Sequence, residues 1–184
     1  MIDLTGKTVA YYGYTGVIDS NGVTRLCQAF NIASNKKADY IYLCLNSLGG
    51  SVADGIYFYN HIRALPTKVI MHATGLVASI ATVIFVGAEI RYASANSMFM
   101  VHSTTVGPYQ AVSAEQLKTN LVYASGEDER TERILKERAN LSEEVLLAKR
   151  TREVYLPPQE ALKFGLIHEI GDFILGVGNQ VVQI

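Results

Sequence analysis

Ser79 is the first candidate for chemistry, because it is a lone hydroxyl residue between two apolar runs. The run at 68–73 is short and rich in branched residues, which predicts a buried strand. The run from Ile80 to Val86 is long enough for a helix. At a strand-to-helix turn, free backbone N–H groups and the positive helix end can stabilise an oxyanion beside the serine. The same pattern is typical of a serine that only caps or packs a helix, so both interpretations remain open.

A second turn contains two adjacent glycines, Gly49 and Gly50, and follows the predicted strand 41–45. Paired glycines allow backbone conformations, and a close approach to a ligand, that a side chain would block. In open α/β sheets, ligands gather outside the carboxyl ends of the strands, so we expect Gly50 and Ser79 to share one crevice. The glycine pair alone is equally compatible with a simple loop turn.

His102 ends the predicted strand 98–101 and is the candidate base. An imidazole at that place could take the Ser79 proton if the two groups come within hydrogen-bond reach. The other histidines lie in a predicted helix (His61), inside the strand before Ser79 (His72) and after the run 165–167 (His168). For any single histidine, a structural or exposed imidazole is the more common explanation.

The composition indicates one α/β domain that spans residues 1–184. An apolar fraction of 49% suits a well-filled core. The net charge of −1 gives no reason to expect nucleic acid or an anionic membrane as a partner. We find neither a signal peptide nor a long apolar span, which favours a cytoplasmic protein. Cys27 and Cys44 are isolated and predict free thiols rather than a disulfide or a metal site.

Further elements follow from spacing. We expect a first strand at 8–14, amphipathic helices in the segments 19–30 and 52–62, and a long helix at 113–138 with Ser113 as its cap. In that long helix, Glu132 and Lys136 stand at i,i+4 and predict an ion pair. The tail 176–184 could add a strand.

Four motifs in order carry a resemblance to a known family. Residues 46–50 match an N-S-P-G-G turn, with Leu48 in place of proline, and residues 75–79 match G-x-x-A-S. Residues 96–102 follow N-S-x-x-M-x-H, and residues 160–166 follow E-A-x-x-x-G-L. With these motifs the chain resembles the proteolytic subunit of the Clp protease, within the fold group that includes the crotonases.

The resemblance implies a single domain of repeated β-β-α units with a projecting handle helix. It implies a serine endopeptidase without a cofactor or a metal, in which Ser79 is the nucleophile and His102 the general base. The N–H groups of Gly50 and Ile80 would form the oxyanion hole, while Gly49 and Val52 would bind an extended peptide. Together these assignments reverse the structural interpretations given above for Ser79 and His102.

The third catalytic residue departs from the family pattern. The family has an aspartate a few residues before E-A-x-x-x-G-L, and Glu153 occupies that position here. A glutamate can orient an imidazole and stabilise its cation, as an aspartate does. Glu153 could instead be a charge partner of Arg150 or Arg152. Asp172 and Glu169 are the alternative acids.

By resemblance, the protein forms a homo-oligomeric ring, a heptamer or stacked heptamers, with the handle helix 113–138 at subunit contacts. Its substrates would be peptides or unfolded proteins. The family begins with a longer segment that engages an ATPase, whereas this chain reaches its first strand almost at once, so we do not expect coupling to a Clp ATPase. Two rival functions are a crotonase-like acyl-CoA enzyme, which needs no serine and histidine pair, and a catalytically inactive ring subunit.

Overall fold

The structure is a computed structural model that describes residues 1–107 and 111–184. Strands and helices alternate through most of the chain, as the sequence pattern predicts. In chain order the elements are β1 (Val9–Thr15), α1 (Ser20–Asn35), β2 (Tyr40–Ser47), α2 (Val52–Ala64), β3 (Lys68–Ala78), α3 (Ile80–Phe85), β4 (Ile90–Ala93), β5 (Met98–Val101), α4 (Ala114–Arg138), α5 (Glu143–Ala148), β6 (Val154–Leu156), α6 (Pro158–Lys163), β7 (Glu169–Ile170) and β8 (Val182–Gln183).

The strands form one mixed sheet in the order β6-β5-β3-β2-β1-β8, and β4 and β7 branch off beside β3. The three central strands are parallel, with Ala10 beside Ile41 and Ile41 beside Val69. Parallel neighbours need crossover connections, and α1 and α2 supply them. β6 runs antiparallel to β5, and the tail adds β8 to the free edge of β1. The predicted α/β class is confirmed.

The two faces of the sheet bury different side chains, because successive residues of a strand point to opposite faces. In β2, Ile41, Leu43 and Leu45 belong to the main core together with residues of α1 and α2. Tyr42 points the other way, into a smaller cluster with Ile70 and Tyr92. The helices therefore cover one face, and an aromatic cluster covers part of the other.

β3 is longer than the run 68–73 predicts, because it continues to Ala78 after changing its neighbour. Residues 70–73 pair with β4, whereas residues 76–78 pair with β5. The Asn46 side chain supports the extension, since its Oδ1 accepts a hydrogen bond from the Leu76 N–H at 3.0 Å. Gly75 leaves room for it, as a Cβ there would lie 2.6 Å from that same oxygen. The strand therefore continues to Ala78, and the turn that leads into α3 is at Ser79 itself.

α4 is the longest helix in the described part of the chain. Its 25 residues extend about 38 Å at about 1.5 Å per residue. Ser113 and Gln116 form a capping box at its start, as the sequence indicated for Ser113. Among residues 1–107 and 111–184, none of the helices combines the length and the apolar character that a membrane crossing requires.

Candidate active site

Ser79 occupies a strained position between β3 and α3. Its backbone has φ 56° and ψ −130°, and its N–H donates to the Met100 carbonyl at 2.8 Å. A positive φ is uncommon for a residue other than glycine, and such conformations cost about 1–3 kcal/mol. The side chain makes no capping hydrogen bond to α3, so helix capping does not explain this serine. The turn instead leaves the half-buried Ser79 at the end of a buried strand.

The two glycines of the neighbouring turn meet requirements that a side chain would violate. Gly49 has φ 94°, and a Cβ on it would lie 2.7 Å from the Ser79 Cβ. A Cβ on Gly50 would lie 2.2 Å from the Ile18 carbonyl oxygen. Ile18 makes backbone hydrogen bonds with the residues before and after Gly50. Its N–H donates to the Gly49 carbonyl at 2.8 Å, and its carbonyl accepts from the Ser51 N–H at 2.7 Å. In such a parallel bridge the N–H of Gly50 itself faces away from Ile18.

Ile80 presents a second backbone donor, because the first N–H groups of a helix have no intrahelical partner. Its side chain is 2% exposed and packs against α2. Gly55 permits that contact: a Cβ on Gly55 would lie 2.2 Å from Ile80 Cγ1. A glycine in α2 thus determines where the first residue of α3 can sit.

The pairing of β5 with β3, in which Met100 lies beside Ala78, brings His102 to the same end of the sheet as Ser79. Two tethers hold the segment that follows. Ser103 N donates to Lys149 O at 3.0 Å, and Thr104 N donates to the Asp128 carboxylate at 2.7 Å. Ser79 and His102 border one cavity, and within the described residues no direct hydrogen bond joins their side chains.

This cavity has a volume of about 80 Å³. Five of the site residues predicted from the sequence line it: Gly50, Val52, Ser79, Ile80 and His102. The residues that line it are Gly50, Val52, Ser79, Ile80, Val83, Val101, His102, Thr104, Thr105, Thr131, Leu135 and Lys149. Gly49 lies next to it, in close contact with Ser79. A half-buried hydroxyl, an imidazole and two backbone N–H groups are the components of acyl-transfer chemistry.

Glu153 is not among the residues that line this cavity. Its exposed carboxylate accepts a hydrogen bond from the Tyr155 hydroxyl at 2.7 Å. Its backbone is nevertheless well placed, because Val154 pairs with Val101 in the antiparallel β5–β6 ladder. Glu153 and His102 are the residues that adjoin this last pair of the ladder. Neither the ion pair with Arg150 nor one with Arg152 is formed, and Arg150 lies instead by Glu132.

The alternative acids, Glu169 and Asp172, are not among the residues that line the cavity. Glu169 is paired with the amino group of Met1. Asp172 lies near His72, in the aromatic cluster on the other face of the sheet. His72 itself is fully buried, with its ring nitrogens near the Tyr42 hydroxyl at 2.7 Å and the Ser94 hydroxyl at 3.1 Å. Burial lowers the pKa of His72 to about 4, so its imidazole is neutral at pH 7.

Sequence reasoning missed Lys149, which lines the cavity and is 2% exposed. Its Nζ lies 3.1 Å from Glu132 Oε1. Lys136, the partner that the sequence predicts for Glu132, is further away, with its Nζ 3.8 Å from Glu132 Oε2. Burial disfavours the Glu132 carboxylate, but hydrogen bonds and charge from Lys149 and Arg150 outweigh it and hold the pKa of Glu132 below its ordinary value. Lys149 begins the basic stretch Lys149-Arg150-Thr151-Arg152, a composition typical of exposed surface, so the sequence contained no signal for its burial.

Comparisons with known proteins agree with these observations. Residues 13–173 match the family model described as Clp protease. The chain is also 31% identical, over 159 residues, to the ATP-dependent Clp protease proteolytic subunit 2 of Pseudomonas aeruginosa. That alignment covers 85% of this chain and 78% of the relative.

Proposed function

Because this chain belongs to the Clp protease family, we propose that it is a serine endopeptidase that cleaves peptide bonds in short or unfolded polypeptides. The observation that carries the proposal is the single cavity bordered by Ser79, His102, Gly50 and Ile80. The strained backbone of Ser79 supports it, since such strain clusters at functional sites.

In the proposed reaction, His102 accepts the proton of the Ser79 hydroxyl as Oγ attacks the substrate carbonyl carbon. The N–H groups of Gly50 and Ile80 donate to the oxygen that becomes negative, and each such donor contributes about 2.7–4 kcal/mol to transition-state stabilisation. The His102 imidazolium then protonates the leaving amine, and the acyl group stays on Ser79. Water, deprotonated by His102, hydrolyses that ester. Ser79 and His102 close to hydrogen-bond distance when substrate binds, as catalytic contacts often do.

The substrate backbone would lie along the turn that contains Gly49 and Val52. An extended peptide can add to such a segment as a further strand, with main-chain hydrogen bonds that tolerate many sequences. Val52 lines the cavity, and Gly49 keeps the backbone close to Ser79. A side chain at Gly49 would occupy the space that the nucleophile needs.

We further propose Glu153 as the third member of the site, in a conformation in which its carboxylate leaves Tyr155 for His102. The β5–β6 register supports this assignment, because both residues adjoin the last pair of the ladder, Val101 with Val154. A carboxylate there would fix the imidazole tautomer and stabilise its cation. The Tyr155 hydrogen bond is exposed, so little free energy opposes the change.

For the assembly, we propose a homo-oligomeric ring with α4 at subunit contacts. The first half of α4 has exposed apolar side chains, Leu117, Leu121, Val122 and Tyr123, which are 52–73% exposed. Apolar side chains of this size grouped on one helix are typical of protein interaction sites. Ring closure would shield the cavities from folded proteins.

The test is labelling of the intact chain with a fluorophosphonate probe, which reacts with an activated serine. We expect labelling of the natural chain and none of Ser79→Ala at unchanged thermal stability. Ser20→Ala removes an exposed hydroxyl at the start of α1, and it should retain the label. Absence of label from an assembled, folded chain would refute the peptidase proposal and favour an acyl-CoA enzyme or an inactive ring subunit.

A further inference from the structure

Thr82 is a polar residue in an otherwise apolar helix. All six residues of α3 are buried, and Thr82 is 0% exposed. Burial of a hydroxyl costs free energy unless the hydroxyl is hydrogen-bonded, and an aliphatic side chain could fill the same place without that cost. The reason for a hydroxyl here must therefore lie in the contacts that it makes.

These contacts reach outside the helix. The Thr82 Oγ1 lies 3.0 Å from the Val77 carbonyl oxygen in β3 and 3.2 Å from the Met100 carbonyl oxygen in β5. A threonine inside a helix usually donates to the carbonyl three or four residues before it. The other threonines of the described helices follow that rule: Thr24, Thr119 and Thr131. Thr82 instead shares its one hydroxyl proton between carbonyls of two different strands.

The two carbonyls hold equivalent places in the proposed site. Val77 precedes Ser79 by two positions, and Met100 precedes His102 by two positions. The Thr82 hydroxyl thus joins the ends of β3 and β5 that lead to the nucleophile and to the base. It does so from α3, the helix whose first N–H we propose as an oxyanion donor.

Thr82 also supports the strained backbone of Ser79. The Ser79 N–H donates to the Met100 carbonyl at 2.8 Å, which is the same carbonyl that the Thr82 hydroxyl reaches. The Ser79 carbonyl accepts a hydrogen bond from the Thr82 N–H at 3.0 Å. A strained conformation persists only where the surrounding contacts over-determine it. Thr82 supplies such contacts on both sides of Ser79, directly through its N–H and indirectly through the shared carbonyl.

We propose that Thr82 is a positioning residue of this site, whose buried hydroxyl holds β3 and β5 where Ser79 and His102 can close to hydrogen-bond distance. Thr82 does not line the cavity, so it acts through the two backbone carbonyls and not on the substrate. A misplacement of about 1 Å between reacting groups can cost about a hundredfold in rate. This inference rests on the proposed peptidase function and adds a residue that maintains the geometry of its site.

The test compares two substitutions in the full, assembled chain that separate the hydroxyl from the shape of the side chain. Thr82→Val keeps the branched shape and loses the hydroxyl, whereas Thr82→Ser keeps the hydroxyl and loses one buried methyl group. Both should melt about 2–4 °C below the natural chain, the first for a lost hydrogen bond and the second for lost packing. Stability alone therefore does not distinguish them.

Their reactivity should differ. The rate of fluorophosphonate labelling is measured against probe concentration at a temperature where every variant is folded. Thr82→Val should lower the limiting rate about tenfold and leave the half-saturating concentration within about twofold, because only the geometry of the reacting groups changes. Thr82→Ser should keep both values within about twofold. Thr24→Val is the matched control, since it removes a hydroxyl that donates within α1, and it should label at the natural rate.

A purely structural role of Thr82 predicts labelling rates that follow the melting temperatures, so equal rates in folded Thr82→Val and Thr82→Ser would overturn the inference. If Thr82→Val does not fold, Thr82→Cys keeps a weaker donor and should label several-fold more slowly than Thr82→Ser. Equal rates in that pair would overturn the inference as well. When the natural chain labels at Ser79, either result leaves the peptidase proposal intact, whereas a natural chain that does not label refutes both.

Discussion

Gly55→Ala is a sharp test of the reasoning, because it places one methyl group against the residue that begins α3. The new Cβ would lie 2.2 Å from Ile80 Cγ1 and 3.1 Å from its Cδ1. Ile80 is branched at Cβ and 2% exposed, so its side chain has little freedom to turn away. The methyl group must therefore displace Ile80, and with it the N–H that we propose as an oxyanion donor.

Gly126→Ala is its natural control. Both glycines lie inside helices, and alanine gains about 1 kcal/mol over glycine in either place. A Cβ on Gly126 meets nothing within 4 Å, so only that gain applies. The difference between the two variants is then the cost of overpacking, about 1–3 kcal/mol. At about 2–4 °C per kcal/mol for a chain of this size, Gly55→Ala should melt between about 2 and 12 °C below Gly126→Ala.

Two assays separate stability from chemistry. Thermal or urea unfolding measures the first, and the rate of fluorophosphonate labelling at a temperature where both variants are folded measures the second. We expect Gly55→Ala to label about tenfold more slowly, part of the loss that follows complete removal of an oxyanion donor. Gly126→Ala should label at the natural rate. If Gly55→Ala matches its control in both assays, the proposed role of the Gly55–Ile80 contact is wrong.

Two further predictions concern titratable groups. Glu153→Gln should lower kcat/KM by roughly a hundredfold or more, because it removes the carboxylate that we propose to orient His102. Tyr155→Phe, which frees that carboxylate, should retain or raise activity. Full activity of Glu153→Gln would show that Glu153 is not part of the site. The pKa of His72 is lowered by burial from 6.5 to about 4, so between these pH values the unfolded chain binds more protons than the folded one. The contribution of neutral His72 to the free energy of unfolding is therefore complete above pH 6.5. As the pH drops to 4, the free energy of unfolding falls by about 3 kcal/mol, a change that urea titrations can measure. In His72→Gln that dependence should be reduced, and a natural chain with equal stability at both pH values would contradict the assigned burial.

The fold class and the family could be predicted from the chain because their signals are local. Strand-length apolar runs, helix caps such as Ser113 and ordered motifs around Gly50, Ser79 and His102 occupy short windows. The extension of β3 could not be predicted in this way. It depends on the Asn46 amide from the neighbouring strand, and on an exchange of strand partners between β4 and β5.

The composition of the cavity wall also depends on contacts between segments that are distant in the sequence. Lys149 and Glu132 are 17 positions apart in the chain. Each has a charged residue closer to it in the sequence: Arg150 follows Lys149, and Lys136 is four positions after Glu132. Only the packing of α4 against the segment after α5 brings the ammonium inside and leaves those neighbours in water. Helical spacing predicted the Glu132–Lys136 pair, which exists at 3.8 Å but is not the closest contact of Glu132.

The sequence by itself determined the α/β class, the order of most elements and the family, because hydrophobic period, turn residues and motif spacing are properties of neighbouring residues. The tertiary structure decided which side chains share a cavity and where Glu153 points. Those outcomes depend on strand register and on desolvation, which arise only when distant segments meet. A charge or a hydroxyl acquires its role from the groups that replace its water, and no local pattern specifies them.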